Sequence, residues 1–299
     1  MIKTSLLSAT PLFSLLVALS PAHALSNRAW VSGHGTDAAG CGAPASPCRT
    51  FQYVHDNIVA AGGEIDVLDP AGYGPIVINK ALSIVNDGVG TAGVQAASGN
   101  AIAINAGASD VVTLRGLDID GLGTGAYGIL FNSGMALTIQ NSVIRHFQSA
   151  GVLFNPNASS ALAITDTLVA DNSLDGIYVG SGAQADFYRV QASRNAEGFA
   201  VFGDNITASA DNCAAYNNTI GYDVQGASTF SLFNSIASNN FHQGLSAYGS
   251  GAILRIAHSM VTGNGVGWTV NGAVIDTYSD NYIDGNGVSV GSLTPINRQ

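Results

Sequence analysis

Charged side chains are scarce: Asp, Glu, Lys and Arg make up only 10% of the 299 residues, against about 25% in typical domains. Positive charge is scarcer still. Ten basic residues face twenty acidic ones, so the chain lacks the basic patch that phosphate contacts require, which excludes nucleic acid as a partner class. Long apolar runs are missing beyond the first twenty residues, so no later segment is long enough to span a bilayer. Cysteine occurs three times and tryptophan twice. Cys41 and Cys48 with only His34 and His55 nearby do not make a zinc site. Little charge combined with 46% hydrophobic residues also argues against disorder.

What the chain has in abundance is glycine. There are 37, about 12% of residues where about 7% is usual, which signals many tight turns or close backbone approaches. The N-terminus places Lys3 ahead of an apolar run from Leu6 to Leu19, then Pro21 and the small-x-small triplet Ala22-His23-Ala24. That pattern predicts a secretory signal cut after Ala24 and a secreted or periplasmic product, in a bacterial cell context. Without it the formal charge becomes −11. In an oxidising compartment, a disulfide between Cys41 and Cys48 in GCGAPASPCRT is the default expectation. Cys213 is left as a small buried side chain.

Self-similarity organises the rest. A glycine followed by an apolar residue recurs at Gly128, Gly151, Gly176, Gly198, Gly221, Gly244, Gly267 and Gly287, with spacings of 23, 25, 22, 23, 23, 23 and 20. Behind each glycine the alternation is strict: Ile129/Phe131, Val152/Phe154, Ile177/Val179, Phe199/Val201, Tyr222/Val224, Leu245/Ala247, Trp268/Val270 and Val288/Val290 share one parity. A period of two sends these side chains inward and sends Tyr178, Ala200, Asp223, Ser246 and Thr269 outward. Leu130 and Leu153 break that polarity. A second strand shows the same logic in Leu137/Ile139, Leu162/Ile164, Phe230/Leu232 and Leu254/Ile256. A third carries Ile144, Val169, Ala192, Ala215, Ala237, Val261 and Ile283 in register, with an adjoining column also partly apolar, so either column could face in.

Three short strands per repeat, none able to bury its own face, are satisfied only by stacking on the repeats above and below. Crossover handedness then makes the fold all-β: a single-stranded right-handed parallel β-helix of about ten coils of ~23 residues. Asn172, Asn195, Asn218, Asn240 and Asn264 form one column, and Asn141, Asp166, Asn212, Asn234 and Asp280 another at a second corner. Their side chains tolerate left-handed backbone and bond neighbouring peptide groups, so stacked they predict a hydrogen-bonded ladder. An open end would expose strand edges. RTFQYVHDNIVAAGG offers a short amphipathic helix with Phe51, Val54, Ile58 and Val59 on one face, ended by glycines. The expected organisation is therefore a signal over 1–24, a cap with the cysteine loop and helix over 25–62, the β-helix over 63–290, and a tail over 291–299.

The rungs DNSLDGIYV, NNFHQGLSA and NSIASNN resemble the repeats of the pectin-lyase-like superfamily, and SPCRTFQ with GGEIDVLDPAGYGPIVINKALSI resembles secreted bacterial β-helix repeat proteins of unassigned activity. Polygalacturonases of that superfamily place catalytic aspartates just before the glycine of this strand. The corresponding rungs here read Leu174-Asp175-Gly176, Ala196-Glu197-Gly198 and His242-Gln243-Gly244. The resemblance implies an acid pair, Asp175 and Glu197, flanked by Asp223 and His242. Stacked carboxyls would lie about 5 to 6 Å apart, close enough to protonate a glycosidic oxygen and assist attack. The second rung has one acid where the family has Asp-Asp, and GVGWTVNG lacks the basic residue that holds a substrate carboxylate. That disfavours acidic pectin and leaves a neutral glycan open. A lyase would need a base such as Arg189 or Arg194 and usually calcium. Asp118 and Asp120, two acids on one side of a strand, could bind calcium, but a solvated edge is the plainer reading and no cofactor is expected.

Two functions follow. One is an exported, non-catalytic rigid surface for polysaccharide binding or cell-envelope interaction, using Tyr178, Arg194, Ser246 and Thr269. The other is a glycoside hydrolase using Asp175 and Glu197.

Overall fold

The computed structural model describes residues 25–297. The signal expected over 1–24 lies outside them. Within the described residues the chain winds as a parallel β-solenoid, each full coil giving one strand to each of three parallel sheets of twelve, nine and ten strands.

The period-two columns are the core. In the nine-stranded sheet Ile129, Val152, Ile177, Phe199, Tyr222 and Leu245 are in-register partners from coil to coil, all 0% exposed, whereas Val288 and Val290, expected inward, are exposed beyond the last strand of that sheet. In the twelve-stranded sheet the column runs Leu137, Leu162, Ala185, Ala208, Phe230, Leu254. In the third, Ile144, Val169, Ala192, Ala215, Ala237 and Val261 all face inward and are buried, which decides between that strand's two columns. Where two sheets shrink to alanine, rings fill the space: Phe199 stacks on Tyr222 at 4.9 Å, and Phe187 packs against Phe199 at 5.3 Å. Small opposite large keeps the interior at native density.

The glycine repeat and the asparagine column explain each other. A Cβ on Gly198 would lie 2.7 Å from the Gly221 carbonyl oxygen and 3.0 Å from Asn218 Nδ2, and Gly176, Gly221 and Gly244 meet the same two obstacles from the next coil. The glycine is there because the ladder passes against it. In that ladder Asn195, Asn218 and Asn240 each donate Nδ2–H to the Oδ1 of the asparagine one coil on, which also accepts the backbone N–H of the first. The left-handed residues are their predecessors, Asp171, Arg194, Asn217 and Asn239, with φ of 54 to 58°. At the other corner Asn141, Asp166, Asn212 and Asn234 do adopt positive φ, as do Arg189 and His258; in the last coil Ser279 takes that role rather than Asp280.

The N-terminal helix spans Phe51–Asn57, shorter than the sequence pattern suggests. Thr50 caps it, and Val59 opens a nine-residue strand that carries the two glycines. Tertiary pairing wins here: residues from Val59 onward find in-register partners in the Ser26–Val31 strand and the next coil. The helix covers the first edge of the nine-stranded sheet, where the Gln52 side-chain oxygen accepts Val77 N–H at 2.7 Å in place of a neighbouring strand. The Cys41–Cys48 disulfide forms as expected. Among the described residues no helix is long and apolar enough to cross a membrane.

Candidate functional site

Asp175 and Glu197 open consecutive strands of the nine-stranded sheet and are in-register partners. Parallel neighbours lie about 4.8 Å apart, so the two carboxyls belong to one site. Asp223 is on the strand of the next coil, outward between the inward Tyr222 and Val224, and only 1% exposed. Glu197 is acted on first by burial and then by the Asp223 and Asp175 charges, which lift its carboxyl to about 8. Burial, then Asp223, lifts Asp175 to about 6. Burial also raises Asp223, against hydrogen bonding that holds it down. Tyr178 is pushed up as well, by burial and then by the Asp175 and Glu197 charges.

The outward-facing column is in part closed off from solvent. Ala200, Asp223, Ser246 and Thr269 follow one another in register at 0, 1, 0 and 6% exposure. They are the floor of a furrow. The adjoining in-register row Phe202, Gln225, Tyr248 and Asn271 is longer and only half-buried or exposed. Glu197, Ile220 and Gln243 border the other side, each near the start of its strand. The Gln225 amide donates to Asp223 Oδ2 at 2.9 Å, and the edge of one ring of the Tyr178–Phe202 pair faces the other at 5.7 Å.

Four buried polar atoms here have no partner of good hydrogen-bond geometry: Glu197 Oε2, Asp223 Oδ1, Gln243 Oε1 and Ser246 Oγ. Ser246 is near enough to Asp223 to lower its carboxyl, yet the contact falls short of a well-formed bond. Unsatisfied buried groups cost free energy, so such a cluster marks a place kept for something other than stability.

Other residues singled out from the sequence lie elsewhere. His242 is exposed and stacks on Phe241, with the ring centroids 6.0 Å apart, and it is not among the groups acting on Glu197. Arg194 is clamped to Asp171 one coil back, and Arg189 to Asp166. Asp118 and Asp120 are taken up by Arg145, with His146 also on Asp120. Gln225, Gln243 and Phe202 were not predicted. The signal was present: Gln225 and Phe202 share the outward parity of Asp223 and Ala200, and Gln243 stands two residues before Leu245 as Glu197 stands before Phe199. A separate cavity of about 530 Å³ opens between Trp30, Tyr53 and the disulfide loop, several coils from the acids.

A family model described as the right handed beta helix region matches residues 127–288, more than half of the chain. The chain belongs to the right-handed β-helix family. Three solved structures share the fold. Pectate lyase Pel9A superposes with a TM-score of 0.71 at 15% identity, over 92% of this chain and 79% of that one. The enzymatically active domain of bacteriophage CBA120 tailspike protein 2 gives 0.61 at 13%, over 86% and 45%. Alginate lyase from Paenibacillus sp. str. FPU-7 gives 0.55 at 13%, over 82% and 96%. At such identities the likeness is one of fold, and function has to be argued from the site. A search of curated proteins finds no match.

Proposed function

We propose that this right-handed β-helix protein is an exported glycoside hydrolase, with Glu197 as general acid and Asp175 as its carboxylate partner. The observation that carries the reading is the in-register pair whose carboxyls are driven to different values, about 6 and about 8. Near neutral pH one member is then ionised while the other keeps its proton, the division of labour that glycosidic cleavage demands. Glu197 gives its proton to the glycosidic oxygen as the C1–O bond breaks. Asp175 bonds to C1, forming a glycosyl ester. Water then attacks C1, losing a proton to the Glu197 carboxylate, and the ester bond breaks to free Asp175. A spacing of one strand is the short separation of retaining enzymes. Export is supported by the Cys41–Cys48 disulfide, a bond of oxidising compartments.

A non-catalytic binding surface is the second reading, favoured by the Tyr178–Phe202 pair as an aromatic platform beside the furrow. Against it, Thr269 is covered in the free protein and Arg194 is held by Asp171. A reducing-sugar screen over diverse polysaccharides, with Asp175→Asn and Glu197→Gln beside wild type, separates the two. Product formed by wild type and lost in both variants supports hydrolysis; glycan binding that survives both, with no product from any polysaccharide, leaves only the binding role.

A further inference from the structure

The furrow continues past the acid pair for at least two coils, and its unpartnered atoms are all oxygens. Asp223 Oδ1 and Ser246 Oγ sit on side chains 1 and 0% exposed, and Gln243, whose Oε1 is also unpartnered, opens the Ser246 strand. Asp223 Oδ1 and Gln243 Oε1 are acceptors, and the Ser246 hydroxyl can accept as well as donate. A ligand that suits them brings O–H groups. A ligand carboxylate would add more acceptors and repulsion from Asp175, Glu197 and Asp223.

A compensating cation is also missing from this surface. Among the described residues every Lys and Arg side chain is already engaged: Arg28 with Asp66 and Glu64, Arg115 with Asp87, Arg145 with Asp118 and Asp120, Arg189 with Asp166, Arg194 with Asp171, and Arg255 with Asp276. Lys80 donates to the His55 and Val59 carbonyls, and Arg49 donates to the Gly72 carbonyl over the Tyr73 ring. Recruiting any of them to a uronate would break an existing bond.

We infer that Asp223, Gln243 and Ser246 form a hydroxyl-reading subsite for an uncharged glycan, which lies along the solenoid axis with its scissile bond at Asp175 and Glu197. The inference rests on the proposed hydrolase for the position of the scissile bond, but not for the subsite itself. Gln225, half-buried and bonded to Asp223 Oδ2, is the side chain that swings aside to admit a sugar hydroxyl. Leaving a buried acceptor unpaired costs free energy, which a sugar hydroxyl relieves on binding.

Calorimetric titration of wild type and Glu197→Gln with neutral gluco-, manno-, xylo- and galacto-oligosaccharides and with oligogalacturonate and oligoalginate of equal length tests this. At least one neutral series is expected to bind tenfold or more tighter than both uronates. Ser246→Ala, which removes a hydroxyl whose contact with Asp223 falls short of a well-formed bond, should weaken that binding at least threefold, and Asp223→Asn more. Uronates binding as well as the neutral series, no neutral series binding, or unaltered affinity in Ser246→Ala would overturn the subsite. Neutral-glycan binding without any cleavage would retain the subsite and remove the hydrolase; cleavage of a uronan that depends on Glu197 would do the reverse.

Discussion

Asp175 and Glu197 face the same furrow from adjacent strands, paired residue to residue, and Asp223 stands one coil beyond Glu197 with its carboxyl closed off from solvent. Three acids so close cannot all ionise easily. The rate of glycan hydrolysis should therefore follow a bell in pH, rising with an apparent value of about 6 and falling with one of about 8. Asp175, Asp223 and Tyr178 are the titrating neighbours of Glu197, so both limbs belong to the cluster. Glu197→Gln should lower kcat/KM by about 10²- to 10⁴-fold and remove the alkaline limb from the residual rate. A pH–rate profile of wild type with a single limb would contradict this assignment.

Stability should carry the same signature. Glu197 binds its proton more tightly folded than unfolded, since its value rises from 4.5 to about 8. Between those values the folded protein holds more protons, so unfolding free energy falls as pH rises. Asp175 adds the same sign between 3.8 and about 6. The wild-type melting temperature should decline from pH 5 to 8 and level off above. Glu197→Gln should flatten the upper part of that decline, as scanning calorimetry across the range can check.

Asn218 accepts the Asn195 backbone N–H at 3.0 Å and donates Nδ2–H to Ala192 O at 2.9 Å and to Asn240 Oδ1 at 3.2 Å. Asn218→Ala strands several buried groups at once and should cost about 3–5 kcal/mol in urea unfolding. Asn286, at the last rung and partly exposed, should cost about 1 kcal/mol when changed to Ala. Gly198→Ala should be as damaging as Asn218→Ala, because the added methyl meets backbone on one side and the ladder on the other.

Cys213 occupies a place in a hydroxyl row. Ser142 and Thr167 before it, and Ser235 and Ser259 after it, accept the backbone N–H of the preceding rung at 3.1 to 3.4 Å, whereas Val190 N–H reaches Cys213 Sγ at 3.5 Å. Sulfur is the weaker acceptor. Cys213→Ser should be neutral or stabilising by roughly 0.5–1 kcal/mol. The native thiol, buried and pushed up to about 12, should resist a thiol-specific colorimetric reagent until the protein unfolds. Prompt native reactivity would mean that the row opens readily.

Much of this architecture was legible because one-dimensional spacing becomes axial alignment. Ile177, Phe199 and Tyr222 announced an inward column by parity, and Asn195 and Asn218 a ladder by period. The pairing of Asp175 with Glu197 followed from the same count. The depth of Asp223 was not legible, because parity gives direction and says nothing of how far Phe202 and Gln225 rise beside it. The helix end at Asn57 was missed since Val59 to Val67 is apolar enough for either state, and only its strand partners decide. His242 and Arg194 shared the period of the acids, yet one points to solvent and the other turns to Asp171.

Because the Asn195, Asn218 and Asn240 side chains bond to the rungs on either side, the molecule is built from interchangeable cassettes. Excise residues 240–263 and Asn264 arrives where Asn240 stood, with the same Oδ1 presented to the two Asn218 donors. Reach along a polymer is then set by how many rungs are inherited: duplication or loss of one changes the length by a single step while leaving the chemistry of the others in place.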